Sequence, residues 1–144
     1  MCGRYVISKA TGDLLSYFDA KEVEGDPPPP SWNVAPTQSV HIVAERLDEG
    51  SIERHLLVAH WGLVPSWAKD IKIGKKLINA RSELEKPSFR KAAVKRRAIL
   101  PADGYFEWQS TCWALPEPTL TPRVVSTRVN SVRNNGPEHI EPAE

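Results

Sequence analysis

Residues 39–60 read SVHIVAERLDEGSIERHLLVAH. Ser39–Glu45 and Ile52–His60 are rich in β-branched and apolar residues, and the polar run Asp48-Glu49-Gly50-Ser51 separates them, which predicts an antiparallel hairpin. Other strand-like stretches lie on either side of it. Gly3–Ser8 (GRYVIS) reads as a short strand, Ala98–Trp108 (AILPADGYFEW) as strand, turn and strand with Asp103-Gly104 in the turn, and Val124–Val132 as another strand. Helical signals are few. Leu14, Leu15 and Phe18 mark a short helix after Thr11-Gly12-Asp13, and Ser88–Lys95 marks a second, with Pro87 at its first turn. Lys21–Ser31, with prolines at 27–30, reads as a stiff polyproline II loop. Short antiparallel-looking strands with a few short helices give the class α+β.

At 144 residues and 40% hydrophobic content, the chain suits one domain, 1–144, with a modest core. No run of 18 apolar residues occurs and no basic-then-apolar leader opens the chain, so a cytoplasmic protein without membrane contact is expected. The two cysteines, Cys2 and Cys112, are too few for a disulfide framework. The histidines at 41, 55, 60 and 139 are scattered, so no metal ligand set is expected. A net charge of +1 conceals a segregated field: residues 11–54 sum to −6, and residues 69–97 to +8. That basic segment suits a polyanion on one face, and equally a solvated helical face.

Several residues carry chemistry. Met1 before the small Cys2 is the usual substrate of methionine aminopeptidase, and its removal would leave an α-amine beside the Cys2 thiol. The amine titrates at about 7.7–8.0 and the thiol at about 8.5, so both nucleophiles are partly available near neutrality. An aldehyde meeting this 1,2-aminothiol can form an imine that the thiol closes to a thiazolidine. The alternative is that Cys2 is a small buried residue. Trp61-Gly62-Leu63-Val64-Pro65-Ser66-Trp67 reads as a rigid aromatic loop beside the basic segment. Core packing explains one of its tryptophans, and base stacking is an alternative for two. Asn79 offers amide donors and an acceptor, and Arg81 a fork that suits phosphate, although both also fit a turn and a helix start. Glu107 stands in an aromatic-rich strand, with Tyr105 on its face and Phe106 and Trp108 on the other, where desolvation would raise its pKa and suit proton transfer. A solvent-facing Glu on an edge strand is the other reading.

Six blocks taken together resemble the SOS-response-associated, abasic-site-processing (SRAP) family: MCGRY at 1–5, WNVAPTQ at 32–38, WGLVPSWAKD at 61–70, INARSE at 78–83, LPADGYFEW at 100–108 and VNSVRNNGPE at 129–138. Singly they are weak patterns, whereas all six in the family's order are highly specific. The resemblance implies an α+β fold with a mixed sheet or barrel core. It implies a sensor of abasic sites that binds single-stranded DNA and its junctions with duplex, forms a covalent thiazolidine crosslink, needs no cofactor and acts as a monomer on DNA in the bacterial nucleoid. By the same resemblance Cys2 is the nucleophile, Asn79 orients the sugar, Glu107 moves protons, and Arg4, Asn33, Pro36, Trp61, Trp67, Arg81 and Ser82 bind DNA. Lyase and peptidase labels attach to the family, the second consistent with removal of Met1.

One departure bears on this. The family carries a long segment between the GYFEW and VNSVRNNGPE blocks, with a catalytic His in an H-D/N-R-M-P motif; here about twenty residues, 109–128, stand in its place and contain no such motif. His139 lies inside the terminal block and does not inherit that role. The chain reads as internally shortened, with an irregular junction at 110–123 and an incomplete sheet. The competing readings are a DNA-binding module with impaired catalysis, an N-terminal-nucleophile hydrolase, and a product that does not fold stably.

Overall fold

The computed structural model describes residues 3–80, 87–108 and 123–143. These form an α+β arrangement of two three-stranded sheets with few helices. The first sheet is assembled from distant segments. Strand β1 (Arg4–Ile7) lies in its centre, antiparallel to both neighbours, which are β3 (Ser31–Val34) and β6 (Gly104–Phe106). The second sheet has β5 (Ser51–His60) in its centre, antiparallel to β4 (Ser39–Asp48) and parallel to the two-residue β2 (Val23–Glu24). The barrel expected as one form of the core is not closed; the described strands remain two open sheets.

The hairpin forms as its pattern dictates and is longer than the sequence suggests. Its strands pair without interruption from Ser39↔His60 to Asp48↔Ser51. The connection is Glu49-Gly50 alone, with φ of 46° and 88°. Positive φ at both central residues gives the turn the twist that two antiparallel strands require. The base of the hairpin enters the core through Val40, Val43 and Leu56, which join Tyr5, Ile7, Leu14 and Val34 in one buried cluster. Its tip, with Leu47 opposite Ile52, projects into solvent.

Helix α1 (Thr11–Phe18) buries Leu14 against this cluster, with Leu15 and Phe18 packed on its flank. It stops at Asp19, whose left-handed conformation (φ 50°) turns its N–H back onto the carbonyls of Leu15 and Ser16. Helix α2 (Pro87–Lys95) starts on the expected proline and has no buried residue. Among the described residues no helix is long and apolar enough to cross a membrane.

Two sequence expectations are corrected here. Asp103 lies at the bend expected of it, but Gly104 is already in β6, opposite Val6; the Asp103 carboxylate accepts from the Ser8 N–H (2.6 Å) and hydroxyl (2.8 Å). The preceding segment reaches the other sheet through a single bridge, Val43↔Ile99, with bonds of 2.8 and 2.9 Å. Val124–Val132 is not a strand. Thr127–Asn130 is a short 3₁₀ turn whose start is capped by the Ser126 hydroxyl accepting from Arg128 N–H, and its carbonyls are taken by side chains from β1 and β3.

Candidate functional site

The described parts of the blocks that are scattered in the sequence meet around the first sheet. Arg4 on β1 is opposite Phe106 on β6, and Tyr5 is opposite Tyr105. Glu107 directly follows Phe106, the last residue of β6, and Gly3 directly precedes Arg4, the first of β1. The carboxylate-bearing block and the amino-terminal block are therefore neighbours. Cys2, Arg81 and Ser82 lie outside the described residues.

The next contact is aromatic. Trp61 packs edge-on against Tyr5, with ring centroids 5.3 Å apart at 65°, and its indole N–H donates to the Ile78 carbonyl (3.1 Å). This ties the residue before Asn79 to the central strand. Asn79 itself is exposed and makes its own interactions. Trp61 is also pinned by its backbone, donating to Gln38 O (3.0 Å) and accepting from Thr37 N–H (2.9 Å), so the APTQ turn and the tryptophan loop form one unit. Pro36, half-buried, belongs to that turn. The loop then closes on itself where Gly62 (φ 136°) lies against Gly74; a Cβ at Gly62 would stand 2.5 Å from the Gly74 carbonyl oxygen. Only glycine tolerates both that φ and that approach.

The two tryptophans thus have different tasks. Trp61 is a packing residue, whereas Trp67 is 62% exposed. Trp67 lines a shallow groove with Lys69, Lys72, Ile73 and Lys76, on the 3₁₀ turn Ile71–Lys76 and the loop before it. Asp70 caps that turn by accepting from Lys72 N–H (2.9 Å). A flat aromatic face beside three ammonium groups can stack a ring and neutralise phosphate.

Arg4 and Asn33 have internal partners. Asn33 is 2% exposed; its amide nitrogen donates to the carbonyls of Val129 (3.0 Å), Ser131 (3.0 Å) and Asn134 (2.7 Å), and its oxygen accepts from Arg4 (2.8 Å). The Arg4 guanidinium also donates to the carbonyls of Val129 and Asn130, both at 3.1 Å. Asn135 completes the clasp by accepting from Trp32 N–H (2.8 Å) and the Ser31 hydroxyl (3.2 Å). These residues fasten the terminal block to β1 and β3.

Glu107 is exposed just beyond the end of β6, and Trp108 beside it is also exposed. The enclosed aromatic setting expected from strand alternation is absent, because β6 ends at Phe106 and leaves both residues at the surface. Glu107 does make interactions of its own. His139 is buried at 2% exposure on the 3₁₀ turn Pro137–Ile140, with Nε2 3.4 Å from Glu138 Oε1. The clasp roles of Asn33 and Asp103 are not legible in the sequence, where the family resemblance implies DNA binding for Asn33 and Asp103 carries only a turn signal. Gly62 did carry a signal, as the glycine directly after a tryptophan.

The arrangement agrees with what comparison with known proteins finds. A family model described as SOS response associated peptidase (SRAP) matches residues 1–132. Abasic site processing protein YoaM of Bacillus subtilis (strain 168) is 44% identical over 113 residues, 76% of this chain and 48% of that protein. Abasic site processing protein YoqW of Bacillus phage SPbeta is 45% identical over the same shares. Abasic site processing protein HMCES of Mus musculus is 39% identical over 90 residues, 56% of this chain and 26% of that protein. The chain spans about half the length of the bacterial and phage relatives it matches. With its six blocks in family order and a family model matched over residues 1–132, the chain belongs to the SRAP family.

Proposed function

We propose that this protein processes abasic sites in single-stranded DNA by linking itself covalently to the lesion through Cys2, once Met1 has been removed. The observation that supports the proposal is the pairing Arg4↔Phe106, the last pair of the β1–β6 register, which makes the amino-terminal block and the block that carries Glu107 neighbours. The names of the relatives, abasic site processing proteins, support the same substrate.

An abasic sugar opens to an aldehyde at C1′. The Cys2 amine adds to that carbon, the resulting carbinolamine loses water, and an imine remains. The thiol then adds across the C=N bond, sulfur to carbon and its proton to nitrogen, which closes a thiazolidine with one water released overall. Glu107 is the group that relays the proton to the departing hydroxyl, and its exposed position leaves it open to a sugar brought by DNA. Asn79 positions the sugar hydroxyls. Elimination from the imine would account for lyase activity in the same site, and removal of Met1 for the peptidase label. The Trp67 groove and its lysines hold the flanking strand, with Arg81 and Ser82 contributing phosphate contacts and favouring a single-strand–duplex junction. The protein acts as a cytoplasmic monomer on nucleoid DNA.

A second reading follows from the missing H-D/N-R-M-P segment: a module that binds DNA but crosslinks it poorly. Incubating the purified chain with abasic single-stranded DNA separates the two. A band retarded on a denaturing gel is the expected result, slower to form in Glu107→Ala and Asn79→Ala. Retardation only on a native gel would replace the enzyme with the module.

A further inference from the structure

The acidic sheet holds a side-chain cluster that the candidate site does not use. Parallel pairing of β2 with β5, in the register Val23↔Leu56 and Glu24↔Leu57, sets Glu22 beside His55. Residues two apart in a strand share a face, so Glu22, Glu24 and His55 project together. One ligand atom from each lies within 4.8 Å of the others. The backbone here is fixed on both sides, by Leu56 N–H donating to Glu22 O (3.1 Å) and Lys21 N–H donating to Arg54 O (3.0 Å).

His55 is the unusual member. It is only 8% exposed, and among the described residues neither ring nitrogen has a hydrogen-bond partner. Buried polar atoms without partners are rare and call for a cause. Nδ1 lies 3.4 Å from Glu24 Oε1 and faces the carboxylates. A cation between them would take up the imidazole lone pair and both carboxylate charges at once.

We propose that Glu22, Glu24 and His55 bind a divalent transition-metal ion of the zinc class, through His55 Nδ1 and one oxygen of each carboxylate, with water completing the shell. The donor set selects the metal: one imidazole and two carboxylates suit zinc and its first-row neighbours, whereas magnesium and calcium prefer oxygen alone. Ligand atoms on a tetrahedral ion with bonds of about 2.0–2.1 Å stand about 3.4 Å apart. Rotation of the exposed Glu22 side chain closes the remaining gap. Arg46 donates from β4 to both Glu24 oxygens, Oε1 (2.5 Å) and Oε2 (3.1 Å), and orients that carboxylate; the second lone pair of either oxygen is what a metal would take. Glu53, on the same face, is already engaged by Lys21. The ion would staple the two-residue β2 to the centre of its sheet, just before the chain enters the proline run that leads to β3.

The test is titration of the chelator-treated full chain with zinc near neutral pH, followed by calorimetry and thermal unfolding. Saturable binding of one ion per chain is expected, with a rise in melting temperature. Affinity should fall by about tenfold or more in the double variant Glu22→Gln/Glu24→Gln, whose side chains leave the core untouched, so that folding is retained by circular dichroism. Cobalt in place of zinc should give visible absorption without a thiolate band in the near ultraviolet. His55→Ala is less decisive, because that residue is buried. Absence of saturable binding up to millimolar zinc, undiminished binding in the double variant, or a thiolate–cobalt band would each overturn the proposal.

Discussion

The two sheets are built in opposite ways. In β2-β5-β4, the long strands β4 and β5 follow one another in sequence and are joined by a two-residue turn. In β3-β1-β6, strands of three or four residues are drawn from the start, the first quarter and the last third of the chain. Local pairing forms with little loop-closure entropy, whereas Arg4↔Phe106 must close a loop of about a hundred residues. The family blocks are joined on the second kind of sheet. The site is therefore assembled only when the long-range contacts close, and the local sheet serves as its foundation.

Substitutions can break this comparison on either side. Leu56, fully buried on β5 beneath both sheets, should give the largest effect: Leu56→Ala is expected to cost about 3–4 kcal/mol, read from the denaturant midpoint, and to unfold both sheets together. Asn33→Ala should cost about 2–3 kcal/mol, because it leaves the carbonyls of Val129, Ser131 and Asn134 without their amide donor. Its signature differs. Hydrogen exchange should rise over 126–136 while the β4–β5 hairpin stays protected; uniform deprotection would show that the two sheets are not separable.

A smaller effect on the local sheet depends on pH. His41, on β4 with Nε2 3.3 Å from the Thr11 hydroxyl, has its pKa lowered by burial, so the folded state holds it neutral. Its contribution is complete above the unfolded value of about 6.5, declines as pH falls from there towards the lowered folded value, and is flat below it. Melting temperature should therefore drop as pH falls below about 6.5, and less steeply in His41→Gln; equal slopes would show that His41 contributes nothing to that loss. Trp67→Ala should have the smallest effect on stability, within about 0.5 kcal/mol, because the ring is largely exposed. The same change should weaken single-stranded DNA binding by about 1–3 kcal/mol, measured by fluorescence anisotropy. A large stability loss with unchanged binding would make Trp67 a packing residue like Trp61.

Legibility in the sequence follows the same division. The hairpin was plain because its pattern and its turn are local, and the helix at Thr11–Phe18 for the same reason. Val124–Val132 has strand composition, yet tertiary bonds from Arg4 and Asn33 claim its carbonyls and hold a 3₁₀ turn instead. Asp103-Gly104 has turn composition, yet Ser8 on the neighbouring segment engages the carboxylate. The loop at 61–67 announced itself, but which tryptophan packs and which faces solvent was decided by Tyr5, far away in sequence. Glu22, Glu24 and His55 have no metal spacing at all; only the parallel β2–β5 register brings them together.

In the proposed function the amino-terminal block is the reactive one. After incubation with abasic single-stranded DNA and nuclease digestion, trypsin should release the peptide Cys2-Gly3-Arg4 without Met1, and mass spectrometry should find the sugar-phosphate remnant on that peptide and nothing on Cys2→Ala protein. Folded protein that binds the DNA yet carries no adduct on this peptide, or carries it instead on a lysine of the Trp67 groove, would rule out Cys2 as the nucleophile.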